Sequence, residues 1–172
     1  MAETFSPAQL PKEKGARYAS LAEEIVAVLE GESDRVARMA TVSSMVAAAF
    51  PEFLWTGFYC VDASRERELV VGPYQGQLGC LRIAFGRGVC GAAAETGKAL
   101  VVPDVDAFPG HIACDSRSRS EIVLPVYDAW GALLGVFDVD SAELAAFDEI
   151  DSRGLQTILL AVFGASPARS VI

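Results

Sequence analysis

The sequence predicts an α+β domain in which helices cover one central antiparallel sheet. Two helical segments come first, short apolar strands with tight turns follow, and a last helix closes the chain. Strands joined by short turns pair antiparallel, and helices that are apolar on one side need a layer to pack on. The 172 residues fit a single domain, since domains commonly take about 100–200 residues.

Three segments show the apolar spacing of amphipathic helices. The first is predicted over residues 18–29, and the second over residues 34–50, with Ser33 as its N-cap. Pro51 ends the second helix because proline cannot continue it. The third is predicted over residues 147–163.

Strands are predicted where β-branched and aromatic residues cluster between turn residues. A first hairpin joins residues 54–61 to residues 68–74, and Gly72 and Pro73 close its second strand. The other predicted strands are 81–85, 100–102, 121–127 and 133–139, with helical character at 89–96 and an irregular stretch at 104–118. This organisation gives a flexible arm at 1–16, one domain at 17–164 and a tail at 165–172.

The composition excludes several classes of function. Fourteen basic and 23 acidic residues give a net charge of −9, which disfavours binding to nucleic acid and to anionic membranes. No signal peptide or membrane helix is visible, so a cytoplasmic protein with reduced thiols is expected. A single histidine and the absence of Cys-x-x-Cys predict no zinc site.

The four cysteines fall into two groups. Cys60 lies inside an aromatic strand and is expected to pack in the core. Cys80, Cys90 and Cys114 each lie on a glycine-flanked turn or loop, where a thiol is reachable, although they could equally be incidental. His111, three residues before Cys114, could lower the pKa of that thiol or simply hold the loop by a backbone hydrogen bond.

Residues 86–91 form a glycine-rich turn into a helix. Such a turn presents free backbone N–H groups to an anion, and a small carboxylate would suit it as well as a phosphate. The residues lack the Gly-Lys-Ser/Thr of a P-loop and the full Gly-x-Gly-x-x-Gly of a dinucleotide site. A tight connection without a ligand remains the alternative.

Three acids interrupt apolar strands. Glu121 opens one strand, while Asp138 and Asp140 share a face of another because side chains alternate along a strand. Buried acids are costly unless they are paired, so they could meet a cationic ligand group, or crowding could leave one acid protonated. Alternatively, they cap N–H groups at a solvent-facing end of the sheet.

These segments together resemble the free methionine-(R)-sulfoxide reductases, which are GAF-domain enzymes. The resemblance covers about residues 21–163, and the contexts of the three loop cysteines are its most specific part. The matching segments are Trp55-x-Gly57-Phe58-Tyr59, Gly72-Pro73-Tyr74-Gln75-Gly76, Cys80-Leu81-Arg82-Ile83, Gly86-Arg87-Gly88-Val89-Cys90-Gly91, His111-Ile112-Ala113-Cys114-Asp115, Ser120-Glu121-Ile122-Val123-Leu124-Pro125 and Asp138-Val139-Asp140-Ser141.

The resemblance implies a GAF-like fold and the roles of the cysteines. Cys114 would attack the sulfoxide sulfur of free methionine-R-sulfoxide and become a sulfenic acid, with no bound cofactor. Cys80 would resolve that acid as a Cys80–Cys114 disulfide, which thioredoxin, fed by NADPH, would reduce. Cys90 would be auxiliary or an alternative resolver. Such an enzyme repairs oxidative damage to the free amino acid.

The resemblance also assigns the pocket. Glu121, Asp138 and Asp140 would polarise or protonate the sulfoxide oxygen and bind the ammonium group. The expected substrate-binding residues are Trp55 and Tyr59 for the S-methyl group, and Gly88, Val89 and Cys90 of the glycine turn for the carboxylate.

Two other functions remain open at this point. One is a GAF module that binds a small molecule or senses redox state without turnover; the other is a cysteine hydrolase using Cys114 and His111. The sequence departs from the family pattern at Cys60 and in a slightly longer turn at residues 128–132. By analogy with other GAF domains, the terminal helices could form a homodimer.

Overall fold

The computed structural model describes residues 5–112 and 114–164, so the predicted tail and the first four residues of the predicted arm lie outside the described residues. The described residues form four α-helices, two short 3-10 helices and six strands. The α-helices are α1 (Lys14–Val28), α2 (Arg35–Ala49), α3 (Gly88–Thr96) and α4 (Glu149–Phe163). The strands are β1 (Phe53–Val61), β2 (Glu68–Gln75), β3 (Arg82–Ala84), β4 (Leu100–Val102), β5 (Ser120–Tyr127) and β6 (Leu133–Ser141).

The strands form one sheet in the order β3-β2-β1-β6-β5-β4, and every neighbouring pair is antiparallel. The predicted α+β architecture is therefore confirmed. The long strands β1, β6 and β5 lie in the middle, while the short strands β3 and β4 form the two edges. No described helix is both long and apolar enough to cross a membrane.

The two faces of the sheet carry two separate cores. One face packs under α1, α2 and α4, with Phe58 and Phe137 fully buried at its centre and their rings 4.7 Å apart. The other face carries Trp55, Tyr59 and Val123 and is covered by α3 and by loops. The loops on the second face leave a pocket between them and the sheet.

The N-terminal arm is shorter than predicted. Helix α1 begins at Lys14 rather than at residue 18, so residues 14–16 are helical and not part of a loose arm. The Lys14 ammonium lies 2.8 Å from the Asp151 carboxylate of α4, and Leu10 is buried in the helix-covered core. These contacts tie the segment before α1 to the last helix.

Two local predictions are also wrong. The N-cap of α2 is Asp34, whose side chain accepts a hydrogen bond from the Ala37 N–H, and not Ser33. Gly72 and Pro73 do not end the second strand, because β2 continues to Gln75. These two residues form a β-bulge, in which both face the single residue Phe58 of β1. A bulge interrupts the hydrogen bonds between the strands, so it accommodates a proline, which has no N–H to donate.

Candidate active site

A pocket opens on the loop-covered face of the sheet. Its floor consists of side chains from the three central strands, and α3 and the two loops at residues 76–81 and 103–119 wall it in. The void measures about 520 Å³ when the open space at its mouth is included. Nine of the ten predicted site residues line it: Trp55, Tyr59, Gly88, Val89, Cys90, Cys114, Glu121, Asp138 and Asp140.

The tenth predicted residue, Cys80, reaches the pocket through a covalent bond. Cys80 and Cys114 form a disulfide, with their Cα atoms 5.3 Å apart. This is the pair that the resemblance implied. The bond joins the two walling loops, and Cys114 is exposed while Cys80 is half-buried. A reagent in solution can therefore reach this disulfide.

Cys90 differs from the prediction. It lies in the first turn of α3 with only 4% of its surface exposed, so its thiol is not reachable on a loop. Its Sγ donates toward Glu121 Oε1 over 3.8 Å. Burial, then the nearby charges of Asp138 and Glu121, raise the pKa of this thiol well above its usual range. Such a thiol is a poor nucleophile.

Cys60 is half-buried against the helix-covered core, with its Sγ 3.6 Å from Met39 Sδ. Burial raises the pKa of the Cys60 thiol as well. The side chain points away from the pocket face, in agreement with the predicted packing role.

The three acids meet at one point of the sheet. Glu121 on β5 lies directly opposite Asp140 on β6, and Asp138 follows on the same face. Burial, together with the charge of Asp140, raises the pKa of Glu121 to about 8. Burial also raises the pKa of Asp140 to about 6, although a hydrogen bond from Ser118 Oγ opposes this shift. At neutral pH the cluster therefore retains at least one proton.

Asp138 is the most deeply placed of the three. Burial, then the charges of Asp140 and Glu121, raise the pKa of Asp138 well above its usual range. Its Oδ1 is buried and has no hydrogen-bond partner among the described residues. Three possible ligand atoms lie within 4.8 Å of one another, one each from Cys90, Glu121 and Asp138. This part of the pocket could therefore hold a cation, either a metal ion or an ammonium group.

An aromatic wall stands beside the acids. The rings of Trp55 and Tyr59 are stacked with centroids 5.5 Å apart, and the Trp55 indole N–H donates to the Gln77 carbonyl over 3.1 Å. A Cβ at Gly79 would lie 2.8 Å from Tyr59 Oη, so a larger residue at this position would displace the tyrosine hydroxyl. Burial and the charge of Asp138 raise the pKa of Tyr59, which keeps its hydroxyl protonated.

The glycine turn presents the donors that the sequence predicted. The N–H groups of Gly88, Val89 and Cys90 open α3, where a helix lacks internal acceptors, and find no partner among the described residues. The Gly86 N–H is already used, since it donates to the Gly91 carbonyl over 2.8 Å. The free donors therefore belong to the helix start and face the pocket.

Several lining residues were not predicted as site residues. Ser118 is buried, and its hydroxyl donates to the Asp140 carboxylate. His111 lines the pocket, and its backbone N–H donates to the Phe108 carbonyl. Ser118 sits in a charged stretch, and nothing local in the sequence marks it as buried. The other unpredicted lining residues are Leu78, Gly79, Ile83, Arg87, Ile112 and Asp115.

Comparison with known proteins decides the family. Residues 23–161 match the family described as GAF domain. The free methionine-R-sulfoxide reductase of Saccharomyces cerevisiae is 41% identical over 133 residues, which cover 75% of this chain and 74% of that protein. The chain belongs to the free methionine-R-sulfoxide reductase family of GAF-domain proteins. The resemblance seen in the sequence is thereby confirmed.

Two further relatives match almost end to end. The free methionine-R-sulfoxide reductase of Neisseria meningitidis, solved in complex with its substrate, shares 45% identity and a TM-score of 0.85, with 94% of this chain and 93% of that chain covered. GAF domain-containing protein A of Dictyostelium discoideum is 48% identical over 159 residues, 92% of this chain and 97% of that protein. The shared fold thus extends over the whole described domain.

Proposed function

We propose that this protein reduces free L-methionine (R)-sulfoxide to L-methionine, with Cys114 as the nucleophile and Cys80 as the resolving cysteine. The observation that carries the proposal is the placement of the Cys80–Cys114 disulfide beside a pocket that contains buried, proton-retaining acids. A thiol, a proton donor and a closed small-molecule site are what sulfoxide reduction requires. The named relatives supply the substrate class.

The cysteines provide the two electrons. In the reduced protein the Cys114 thiolate attacks the sulfoxide sulfur, the sulfoxide oxygen is transferred, and methionine leaves while Cys114 becomes a sulfenic acid. The Cys80 thiol then attacks the Cys114 sulfur, and water departs as the disulfide forms. The product of these two steps is the bond present in the structure.

The acids provide the proton and receive the positive charge. Glu121, with a pKa of about 8, is protonated at neutral pH and is the donor we assign to the sulfoxide oxygen. Asp138 Oδ1, buried and without a partner, is the acceptor we assign to the substrate ammonium, whose positive charge would lower the raised pKa of Asp138 and favour its ionised form. Asp140, held by Ser118, positions Glu121 across the strand pair.

The remaining walls account for the preference for a free amino acid. The substrate carboxylate would accept hydrogen bonds from the free N–H groups at the start of α3, and the S-methyl group would lie against Trp55. A methionine sulfoxide residue within a peptide carries neither the free ammonium nor the free carboxylate. It would leave both polar ends of the pocket unpaired, which is costly in a buried site.

We further propose that thioredoxin, recycled by NADPH, reduces the disulfide and that the protein works in the cytoplasm, where thiols are kept reduced. No cofactor is needed for this cycle, since the protein's own thiols carry the electrons. A homodimer through the terminal helices is part of the same proposal.

A coupled assay tests the proposed function. NADPH oxidation is followed with thioredoxin and thioredoxin reductase, while free methionine-R-sulfoxide, the S epimer and an N-acetylated R-sulfoxide are supplied in turn. Turnover only with the free R epimer is expected, and Cys114→Ser serves as the inactive control. Turnover with none of them by reduced, folded protein would favour the GAF binding module, and equal turnover with the N-acetylated compound would refute the ammonium site at Asp138.

A further inference from the structure

We propose that Leu78 and Leu81, which flank Cys80, form the docking surface for the protein dithiol that reduces the Cys80–Cys114 disulfide. The proposal rests on the proposed function only in its need for an external reductant. Both leucines belong to the loop between β2 and β3 and lie within two residues of Cys80 in the chain, and Leu78 also lines the pocket. We call this pair the leucine patch.

The leucine patch is exposed to an unusual degree. Leu78 has 73% and Leu81 has 66% of its surface exposed, and among the large apolar side chains of the described residues only Trp130 is more exposed than these two. Their loop is not loose, because the Leu81 carbonyl accepts a hydrogen bond of 3.0 Å from the Val71 N–H and the Gln77 carbonyl accepts one from Trp55. The backbone thus holds two apolar side chains in water on either side of a reactive sulfur.

Several charged side chains near the disulfide form ion pairs, although Arg87 of the pocket lining forms none among the described residues. Arg82, next to Leu81, binds the Asp62 and Glu68 carboxylates, and Arg117 binds the Asp115 carboxylate over 2.7 Å. These ion pairs neutralise the arginines that lie nearest to Leu81 and Cys114 in the chain. A partner would therefore be recognised mainly through apolar contacts with the leucine patch. A protein with apolar residues around its own cysteines suits such a surface.

The side of approach also points to this patch. The pocket is sized for a small molecule, so a protein reductant must reach the disulfide from outside. A thiolate attacks a disulfide along the sulfur–sulfur line, from the side opposite the leaving sulfur. Cys80 lies between the two leucines on one loop, whereas Cys114 belongs to the other loop and lines the pocket, so a partner seated on the leucine patch meets Cys80 even though Cys114 as a whole residue is the more exposed of the two.

Reduction of the Cys80–Cys114 disulfide by the partner takes two thiol–disulfide exchange steps. The partner thiolate bonds to Cys80 Sγ, the Cys80–Cys114 bond breaks, and Cys114 leaves as a thiolate that takes a proton from solvent. The second thiol of the partner loses its proton and attacks the partner's own sulfur in the mixed disulfide. Cys80 is released as a thiolate, and the partner carries away the disulfide. Two electrons pass from the partner to this protein.

The test reduces the oxidised protein without any sulfoxide, so it does not depend on the proposed substrate. Wild type, Leu81→Ser and the control Val36→Ser are compared, since Val36 is 62% exposed on α2, on the opposite face of the sheet. Leu81 is chosen because Leu78 also lines the pocket. The rate of NADPH consumption is measured against thioredoxin concentration, and the rate of disulfide reduction by dithiothreitol is measured in parallel.

We expect Leu81→Ser to raise the thioredoxin concentration needed for half-maximal rate by about tenfold, the usual effect of removing a docking anchor. Reduction by dithiothreitol should be unchanged, and Val36→Ser should match wild type in both. An unchanged thioredoxin dependence, or an equal loss with dithiothreitol, would overturn the proposal. A thioredoxin lacking its second cysteine should be trapped on Cys80, and trapping on Cys114 would also overturn it.

Discussion

Replacing Glu121 with glutamine should make the free energy of unfolding less sensitive to pH. In the folded protein burial raises the pKa of Glu121 to about 8, whereas its ordinary value is 4.5. At pH values between these two, Glu121 keeps its proton in the folded protein and loses it in the unfolded chain. Stability from this group is therefore fully present below pH 4.5 and is lost as the pH rises toward 8.

The size of the effect follows from this difference in pKa. One carboxyl that is protonated only in the folded state lowers the unfolding free energy by about 1.4 kcal/mol per pH unit. Between pH 5 and pH 7 wild type should lose about 2–3 kcal/mol through Glu121, after allowance for its partial protonation in the unfolded chain at pH 5. Glu121→Gln removes this loss, because the amide does not ionise in either state.

Urea unfolding of the oxidised protein at pH 5 and pH 7 measures the effect. The stability difference between Glu121→Gln and wild type should shift in favour of the variant by about 2–3 kcal/mol from pH 5 to pH 7. Glu66→Gln, at an exposed acid of the turn between β1 and β2, is the matched control and should show no such shift. An equal difference at both pH values would mean that Glu121 is ionised in the folded protein and cannot serve as the proton donor.

Three further substitutions probe other parts of the account. Cys90→Ala should retain multiple turnover with thioredoxin, because that thiol is buried, whereas Cys80→Ser should stop after a single turnover; methionine counted per chain separates the two. Gly79→Ala should raise KM for the sulfoxide more than it lowers kcat, since its Cβ would lie 2.8 Å from Tyr59 Oη, and equal effects on both would contradict this reason. Asp151→Ala should cost about 2–4 kcal/mol in urea unfolding, because it breaks the capping box at the start of α4 and leaves the buried Tyr18 hydroxyl without an acceptor; a loss below about 1 kcal/mol would refute that role.

The parts of the site that lie on strands could be predicted from the sequence. Asp138 and Asp140 share a face because alternation along a strand is a local property, and the hairpin of β5 and β6 brings Glu121 opposite Asp140. The glycine turn was likewise predicted to offer free N–H groups, since a helix start lacks acceptors wherever it lies. These features need no knowledge of the rest of the fold.

The parts of the site that depend on tertiary packing could not be predicted from local pattern. Cys90 was expected on an accessible loop, but α3 lies against β5 and β6 and turns this residue into the core. Ser118 has the sequence context of an exposed loop residue. Only the tertiary fold of the irregular segment brings its hydroxyl into contact with the Asp140 carboxylate. The Cys80–Cys114 pairing, across 34 residues, came from family resemblance and not from spacing.

A single-turnover experiment tests the central claim most directly. Fully reduced protein, with its four thiols free, is mixed with excess free methionine-R-sulfoxide and no reductant, and methionine and remaining thiols are counted. The proposed function predicts one methionine per chain, a fall from four thiols to two, and a Cys80–Cys114 disulfide, with Cys60 and Cys90 still reduced. Binding of the sulfoxide with all four thiols retained and no methionine formed would contradict the claim and identify a binding module.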